Sequence, residues 1–134
     1  MTKIIYLVAV DGSEWSDRAA ERAVTLAQKT GAEVHFINAI SNIGSRVNEK
    51  KFEQSEKDLT LTPLLKRFAD SGVKMEAIIE WGDPAEIIHR QAKKEHANMI
   101  FLGRRGRSKL GDILLGSVAD TIAHHAGIPI VLVP

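Results

Sequence analysis

Residues 98–133 read NMIFLGRRGRSKLGDILLGSVADTIAHHAGIPIVLV. The stretch holds an apolar run, a glycine-rich loop, a helical pattern stopped at Gly127, and a second apolar run. Both runs, NMIFL and IPIVLV, are continuous rather than alternating, as expected of strands buried on both faces. A strand, a helix and a second strand in that order predict a right-handed crossover between parallel strands. The same unit recurs upstream. KIIYLVAV (3–10) is a β-branched apolar run, followed by Ser13 as an N-cap, with Glu14 and Asp17 favouring the helix dipole. Helical periodicity then runs to Gly31, and EVHFINAI (33–40) is the second strand.

Residues 41–50, SNIGSRVNEK, read as a polar connection. A helix from about Lys51 is predicted to place Phe52, Leu59, Leu64, Leu65 and Phe68 near one face. Pro63 should interrupt or restart it, with Thr62 as the cap, and Gly72 should end it. VKMEAII (73–79) is the third strand; Asp83 before Pro84 predicts a cap and a proline in the first turn of a helix reaching about His96. With no internal repeat or linker, residues 1–134 form one domain. The expected fold is α/β and Rossmann-like: an open five-stranded parallel sheet with helices on both faces.

Ligands of open parallel sheets bind beyond the carboxyl ends of strands, where strand order reverses. Two strand ends carry unusual residues: Asp11-Gly12-Ser13 after the first strand and the glycine loop after the fourth. If both serve one site, the strand order is 3-2-1-4-5, and the reversal falls between them.

Composition narrows the function. Over 134 residues, 44% are hydrophobic and 26% charged, which is globular composition. A net charge of +1 gives no global case for a nucleic-acid partner. The absence of cysteine excludes disulfides, a thiolate nucleophile and thiolate metal sites. The opening MTKIIYLVAVDGSE lacks a signal peptide's cleavage region, and its apolar run is too short to span a bilayer. No membrane role is expected, and the expected location is cytoplasmic.

Four glycines in GRRGRSKLGDILLGS (103–117) cost conformational entropy and need a reason. A flexible tether is disfavoured, because the run lies between an apolar strand and a helix and is interrupted by ILL. A nucleic-acid arm would use Arg104, Arg105, Arg107 and Lys109, but no aromatic residue interleaves for base stacking. A phosphate cradle uses the glycines best. Gly103 and Gly106 would let the backbone approach a ligand and turn, and Gly116-Ser117 would open a helix whose free N–H groups attract an anion. The spacing is neither a Walker A loop nor the G-x-G-x-x-G fingerprint.

The spacing of Gly103, Gly106 and Gly116-Ser117 matches G-x2-G-x9-G-[ST], and so the chain resembles the ATP-binding universal stress proteins. VAVDGSE, GDPAEII and IPIVLVP extend the resemblance over nearly the full length. It implies that Asp11 lies near adenine and ribose, with Val10 and Ala39 flanking the adenine. It places Leu102 and Gly103 by the ribose and first phosphate, and Gly106, Gly116, Ser117 and Val118 in the phosphate cradle. The implied ligand is ATP, with AMP or ADP as alternatives, and Mg²⁺ or Mn²⁺ bridging the phosphates. Many relatives carry a small residue and a His or Arg between the first two glycines; here both are arginine. Arg104 or Arg105 would either bind phosphate or restrict the pocket. The resemblance also implies a homodimer through the final strand, residues 129–134.

Other residues have plainer readings. Asp11 also fits a helix-capping carboxylate, and the partners of a phospho-accepting aspartate are missing. His124 and His125 suit a helix C-terminus. His35, His89 and His96 show no ligand spacing along the chain. Trp81 reads as a core lid more than an adenine wall, and Trp15 as packing for the first helix. The expected function is a nucleotide-dependent sensor or regulatory module. A slow ATPase or self-phosphorylating enzyme using Ser117 or another hydroxyl, and a nucleotide-independent interaction module, are the alternatives. No activated base or nucleophile pair is visible.

Overall fold

β1 (Ile5–Ala9) and β2 (Glu33–Ile40) pair in parallel, bringing Ile5 beside Glu33 and Ala9 beside Ile37. β3 (Met75–Trp81) extends the sheet beyond β2, while β4 (Met99–Gly103) and then β5 (Ile130–Val133) extend it beyond β1. The order is therefore 3-2-1-4-5, all parallel, as the placing of the two unusual loops required. This is a computed structural model, and it describes residues 2–41, 49–106, 115–125 and 127–134. Arg107, Lys109 and Gly111 in the glycine loop, and most of the polar connection, lie outside the described residues.

Alternation along the strands divides the core between two faces. Tyr6, Val8, Phe36 and Phe101 face α1 (Glu14–Thr30), which lays Ala19, Ala20, Ala23 and Ala27 against them. Alanine lets the helix axis approach the strands closely, and the two phenylalanines fill the space beside it. Each fully buried phenylalanine contributes about 1.5–3 kcal/mol relative to exposure. Leu7, Ile37 and Ile100 face the other way, toward Ile87 and Ile88 of α4 (Pro84–Glu95) and Ile122 of α5 (Ser117–His125).

Helix boundaries follow local chemistry. Ser13 Oγ accepts from the Ser16 amide at 3.2 Å, and Gly31, at φ 79°, closes α1 by donating to Ala27 O. Asp83 Oδ2 accepts from the Glu86 amide at 3.0 Å, with Pro84 in the first turn as expected.

The segment after the polar connection departs in part from expectation. The regular helix is interrupted and restarts with Pro63 in its first turn, as expected, but Thr62, in helical conformation, does not cap it. Instead α2 (Glu49–Glu56) passes through a π-helical turn (Lys57–Leu61) into α3 (Thr62–Arg67). Proline cannot donate and crowds the carbonyl four residues earlier. The wider π turn, in which Thr62 N donates to Lys57 O, accommodates it. The extra residue also shifts the apolar face. Leu61 and Leu64 are buried, whereas Phe52 is half-exposed and Leu59 points largely to solvent. Leu65 and Phe68 pack at the edge of the core, as read from sequence.

Candidate functional site

The carboxyl ends of β1, β2 and β4 border a cleft of about 230 Å³, at the reversal in strand order. From β1 come Ala9, Val10 and Asp11; from β2, Ile37 and Ala39, with Ser41 beyond; from β4, Leu102 and Gly103. Arg105 and Gly106 of the glycine loop and Gly116, Ser117, Val118 and Ala119 at the start of α5 close the polar end. Every residue singled out in the sequence for a nucleotide lines this cleft except Arg104. That residue's backbone joins two neighbours instead: its N–H donates to Val133 O at 2.7 Å, and its carbonyl accepts from the Gly116 amide at 2.8 Å.

Asp11 serves the turn and the cleft together. Its Oδ1 accepts from the Ser13 amide at 2.9 Å, and its own amide donates to Ser16 Oγ at 3.2 Å. Gly12, at φ 84°, supplies the left-handed turn that this requires. Asp11 Oδ2 meanwhile lies 2.6 Å from where a Cβ at position 106 would stand, so Gly106 makes room for the carboxylate.

The three signature glycines have different physical reasons. At Gly103 a Cβ would stand 2.7 Å from Trp15 Cβ, 2.8 Å from Trp15 C and 2.9 Å from Arg105 O. Position 103 is glycine because the start of α1 packs onto the end of β4, and the residue lines the cleft as well. A Cβ at position 116 would meet Arg105 Cα at 3.4 Å and Arg104 O at 3.5 Å, close to ordinary contact. With its amide already donated to Arg104 O, Gly116 secures the loop. The first turn of α5 still leaves the Ser117, Val118 and Ala119 N–H groups without intrahelical acceptors, and its dipole favours an anion there.

Arg105 sits over Trp15, 5.3 Å from the ring centroid, with Arg18 also near the ring at 5.8 Å. Trp15 thus packs α1 as read, and it also steadies a cationic rim on the cleft. Trp81 is not part of the cleft. Its Nε1 donates to Glu53, and its ring meets Phe52 at 5.8 Å, so it forms a lid under α2. Sequence reasoning missed Ile37, Pro84 and Ile88 as the apolar wall. The two-residue step from Ile37 to Ala39 and the four-residue step from Pro84 to Ile88 were the signals available. In the first turn of α1, burial raises the Asp17 carboxyl above its ordinary value; Arg67 opposes the shift and Asp11 adds to it.

The amino end of β2 carries a second polar assembly. Buried His35 places Nε2 3.0 Å from Glu33 Oε2 and 3.7 Å from Glu76 Oε2, and Nδ1 2.9 Å from Glu95 Oε1. Lys3 and Lys74 pair with Glu33 at 3.3 and 3.2 Å. Burial pushes the Glu33 carboxyl up, but the hydrogen bonds from His35, Lys74 and Lys3 outweigh it and hold it below the ordinary range. His124 lies at the end of α5 as expected, its Nδ1 2.8 Å from Asp120 O. Among the described residues no helix is long and apolar enough to cross a membrane.

Comparison with known proteins bears on the cleft. The universal stress protein family matches residues 1–134. A universal stress protein encoded in the QAH/OAS sulfhydrylase 3′ region of Thermus aquaticus is 33% identical over 131 residues, covering 95% of this chain and 96% of its own length. Universal stress protein YxiE of Bacillus subtilis is 29% identical over 151 residues, with 95% and 96% covered. Among solved structures, universal stress protein UspA from Lactobacillus plantarum superposes with a TM-score of 0.85 at 20% identity, over 100% of both chains. Three further structures of the same fold hold nucleotides. One universal stress protein is in complex with cAMP (TM-score 0.79, 22% identity, 100% and 99% covered). One from Archaeoglobus fulgidus is in complex with dAMP (0.77, 22%, 99% and 98%), and one from Arabidopsis thaliana has AMP bound (0.69, 22%, 97% and 90%).

Proposed function

This chain belongs to the universal stress protein family, and on that premise we propose that its cleft binds an adenine nucleotide. ATP is the working ligand, with AMP or ADP as alternatives, and the protein acts as a nucleotide-dependent sensor or regulatory module in the cytoplasm. The observation that carries this reading is the convergence of the Asp11 turn, the glycine loop and the first turn of α5 on one cleft. Ile37, Ala39 and Ile88 offer an apolar wall for a flat base, while the α5 amides and Arg105 suit phosphates at the other end. Three relatives of the same fold with cAMP, dAMP and AMP support the ligand class.

Mg²⁺ or Mn²⁺ would arrive on the phosphates. Among the described lining residues Asp11 is the only carboxylate, with the Ser16, Ser41 and Ser117 hydroxyls in the same lining. That is too few oxygens for a six-coordinate cation held by protein alone. The same lining has no His or Lys to act as a general base, which favours binding over turnover. Any hydrolysis should run below about one turnover per second, near the low end of ordinary enzymes.

Pairing through β5 belongs to the proposal. β5 is an edge strand, and its Leu132 is 38% exposed, so apolar side chains and unpaired backbone groups invite a second copy. Light scattering should show a dimer that Leu132→Lys converts to monomer; a wild-type monomer at micromolar concentration would refute it.

Calorimetric titration with ATP, ADP and AMP in the presence of magnesium tests the site. Saturable one-to-one binding is expected, weakened at least about tenfold in Ala39→Phe, whose ring would fill the apolar end. Circular dichroism must show that variant folded. Absence of binding for all three nucleotides, or unchanged affinity in folded Ala39→Phe, would refute the reading.

A further inference from the structure

The assembly around His35 lies at the opposite end of the sheet from the cleft. We propose that His35, Glu95 and Glu76 form a binding site for an imidazole-preferring divalent cation of the zinc class. One ligand atom from each of the three lies within 4.8 Å of the other two. They come from β2, the last residue of α4, and β3.

The ring is held in place by its neighbours. Glu33, ionised and balanced by Lys3 and Lys74, accepts from Nε2 at 3.0 Å. A carboxylate that fixes one imidazole nitrogen and leaves the other to a metal is a recurrent arrangement. Nδ1 is that other nitrogen. It is buried, it makes no hydrogen bond, and it lies 2.9 Å from Glu95 Oε1. Glu95 Oε1 accepts from Gln91 Nε2 at 2.8 Å, so a cation held by Nδ1 would take Glu95 through its other oxygen. Glu95 Oε2 is likewise buried without a hydrogen bond.

The charge balance agrees. Among the described residues no Lys or Arg pairs with Glu76 or Glu95, so these two carboxylates face the ring without a Lys or Arg of their own. The C-terminal end of α4, where Glu95 stands, adds negative potential. One imidazole and two carboxylates, with a position left for water, suit zinc better than magnesium, which prefers oxygen ligands in an octahedron. Glu76, whose side chain is 51% exposed, provides the route to solvent.

The probe is zinc chloride, titrated calorimetrically into the metal-free full chain with millimolar magnesium as competitor. One saturable site is expected, with a melting temperature that rises as zinc is added. Glu76→Gln, on the exposed side, should stay folded and lose at least tenfold in affinity, and His35→Gln should abolish the site. Glu33→Gln, acting through the ring, should weaken it by about 10–100-fold. A double His124→Ala, His125→Ala variant should bind as wild type does. The proposal is overturned if zinc does not saturate, if magnesium displaces it, if folded Glu76→Gln binds unchanged, or if only the His124/His125 variant loses binding. Nucleotide affinity plays no part in these outcomes.

Discussion

At the carboxyl ends of β1 and β4 the sheet lines its cleft with backbone: glycines, amide groups and the start of a helix. At the amino end of β2 it presents side chains, an imidazole enclosed by carboxylates from three elements. Backbone at the first end works through clearance, so a single added carbon can matter more than the loss of a polar group. The second end works through charge and protonation, so isosteric changes that remove a charge are the informative ones. This contrast ranks the effects of substitution.

The largest effect should follow Gly103→Ala. The new Cβ has no room against Trp15 and the Arg105 carbonyl, and backbone atoms cannot move aside as a side chain tip can. Overpacking of this kind costs about 1–3 kcal/mol, read as a lowered urea midpoint, and should weaken ATP as well by displacing the loop. Gly116→Ala is the matched control. Its Cβ meets neighbours at 3.4–3.7 Å and should change stability little. Equal losses at both positions would break the distinction drawn between the signature glycines.

Ser117→Ala should have an effect of similar size but confined to binding, where Gly103→Ala lowers stability and affinity together. Losing one hydrogen bond to a charged phosphate weakens affinity by about 1.5–3 kcal/mol in titration calorimetry, while the melting temperature stays within about a degree. A folded Ser117→Ala protein with full ATP affinity would show that the α5 turn does not hold the phosphates.

Asp17→Asn should be the smallest. Burial raises the Asp17 carboxyl, so the folded state holds that proton more tightly than the unfolded chain. Stability tied to this group is therefore greatest at low pH and declines as pH rises from the unfolded value of 3.8 through the raised folded value. Removing the charge should stabilise the protein at neutral pH by up to about 0.5 kcal/mol, a surface-sized effect, and leave it unchanged in acid. Urea unfolding at pH 3 and pH 7 reads the difference, and a variant less stable than wild type at pH 7 would reverse the sign.

Sequence reading succeeded where cause and effect share a short segment. The buried parallel strands announce themselves as continuous apolar runs, and Ser13, Gly31 and Asp83-Pro84 mark helix ends through their own side chains or backbone. The strand order followed from asking that two odd loops serve one place. The reason for Gly103 was not legible, because its obstacle, Trp15, is 88 residues away along the chain and meets it only after folding. The His35 assembly escaped for the same reason: Glu76 and Glu95 come from β3 and α4, and no spacing ties them to β2. The π turn escaped because period counting assumes a constant 3.6 residues per turn, and one extra residue put Leu59 out of phase with Leu61 and Leu64.

The π turn also sets a heading. An i→i+5 turn fits one residue more than the α repeat allows and keeps both flanks helical. Excising one residue from 57–61 would restore a regular helix and turn α2 by about 100° relative to α3, one residue's share of a turn. Phe52 and Glu53 would swing off Trp81, leaving the end of β3 uncovered. The additional residue thus acts as an angular shim between α3, whose Leu64 is buried in the core, and α2, which covers Trp81.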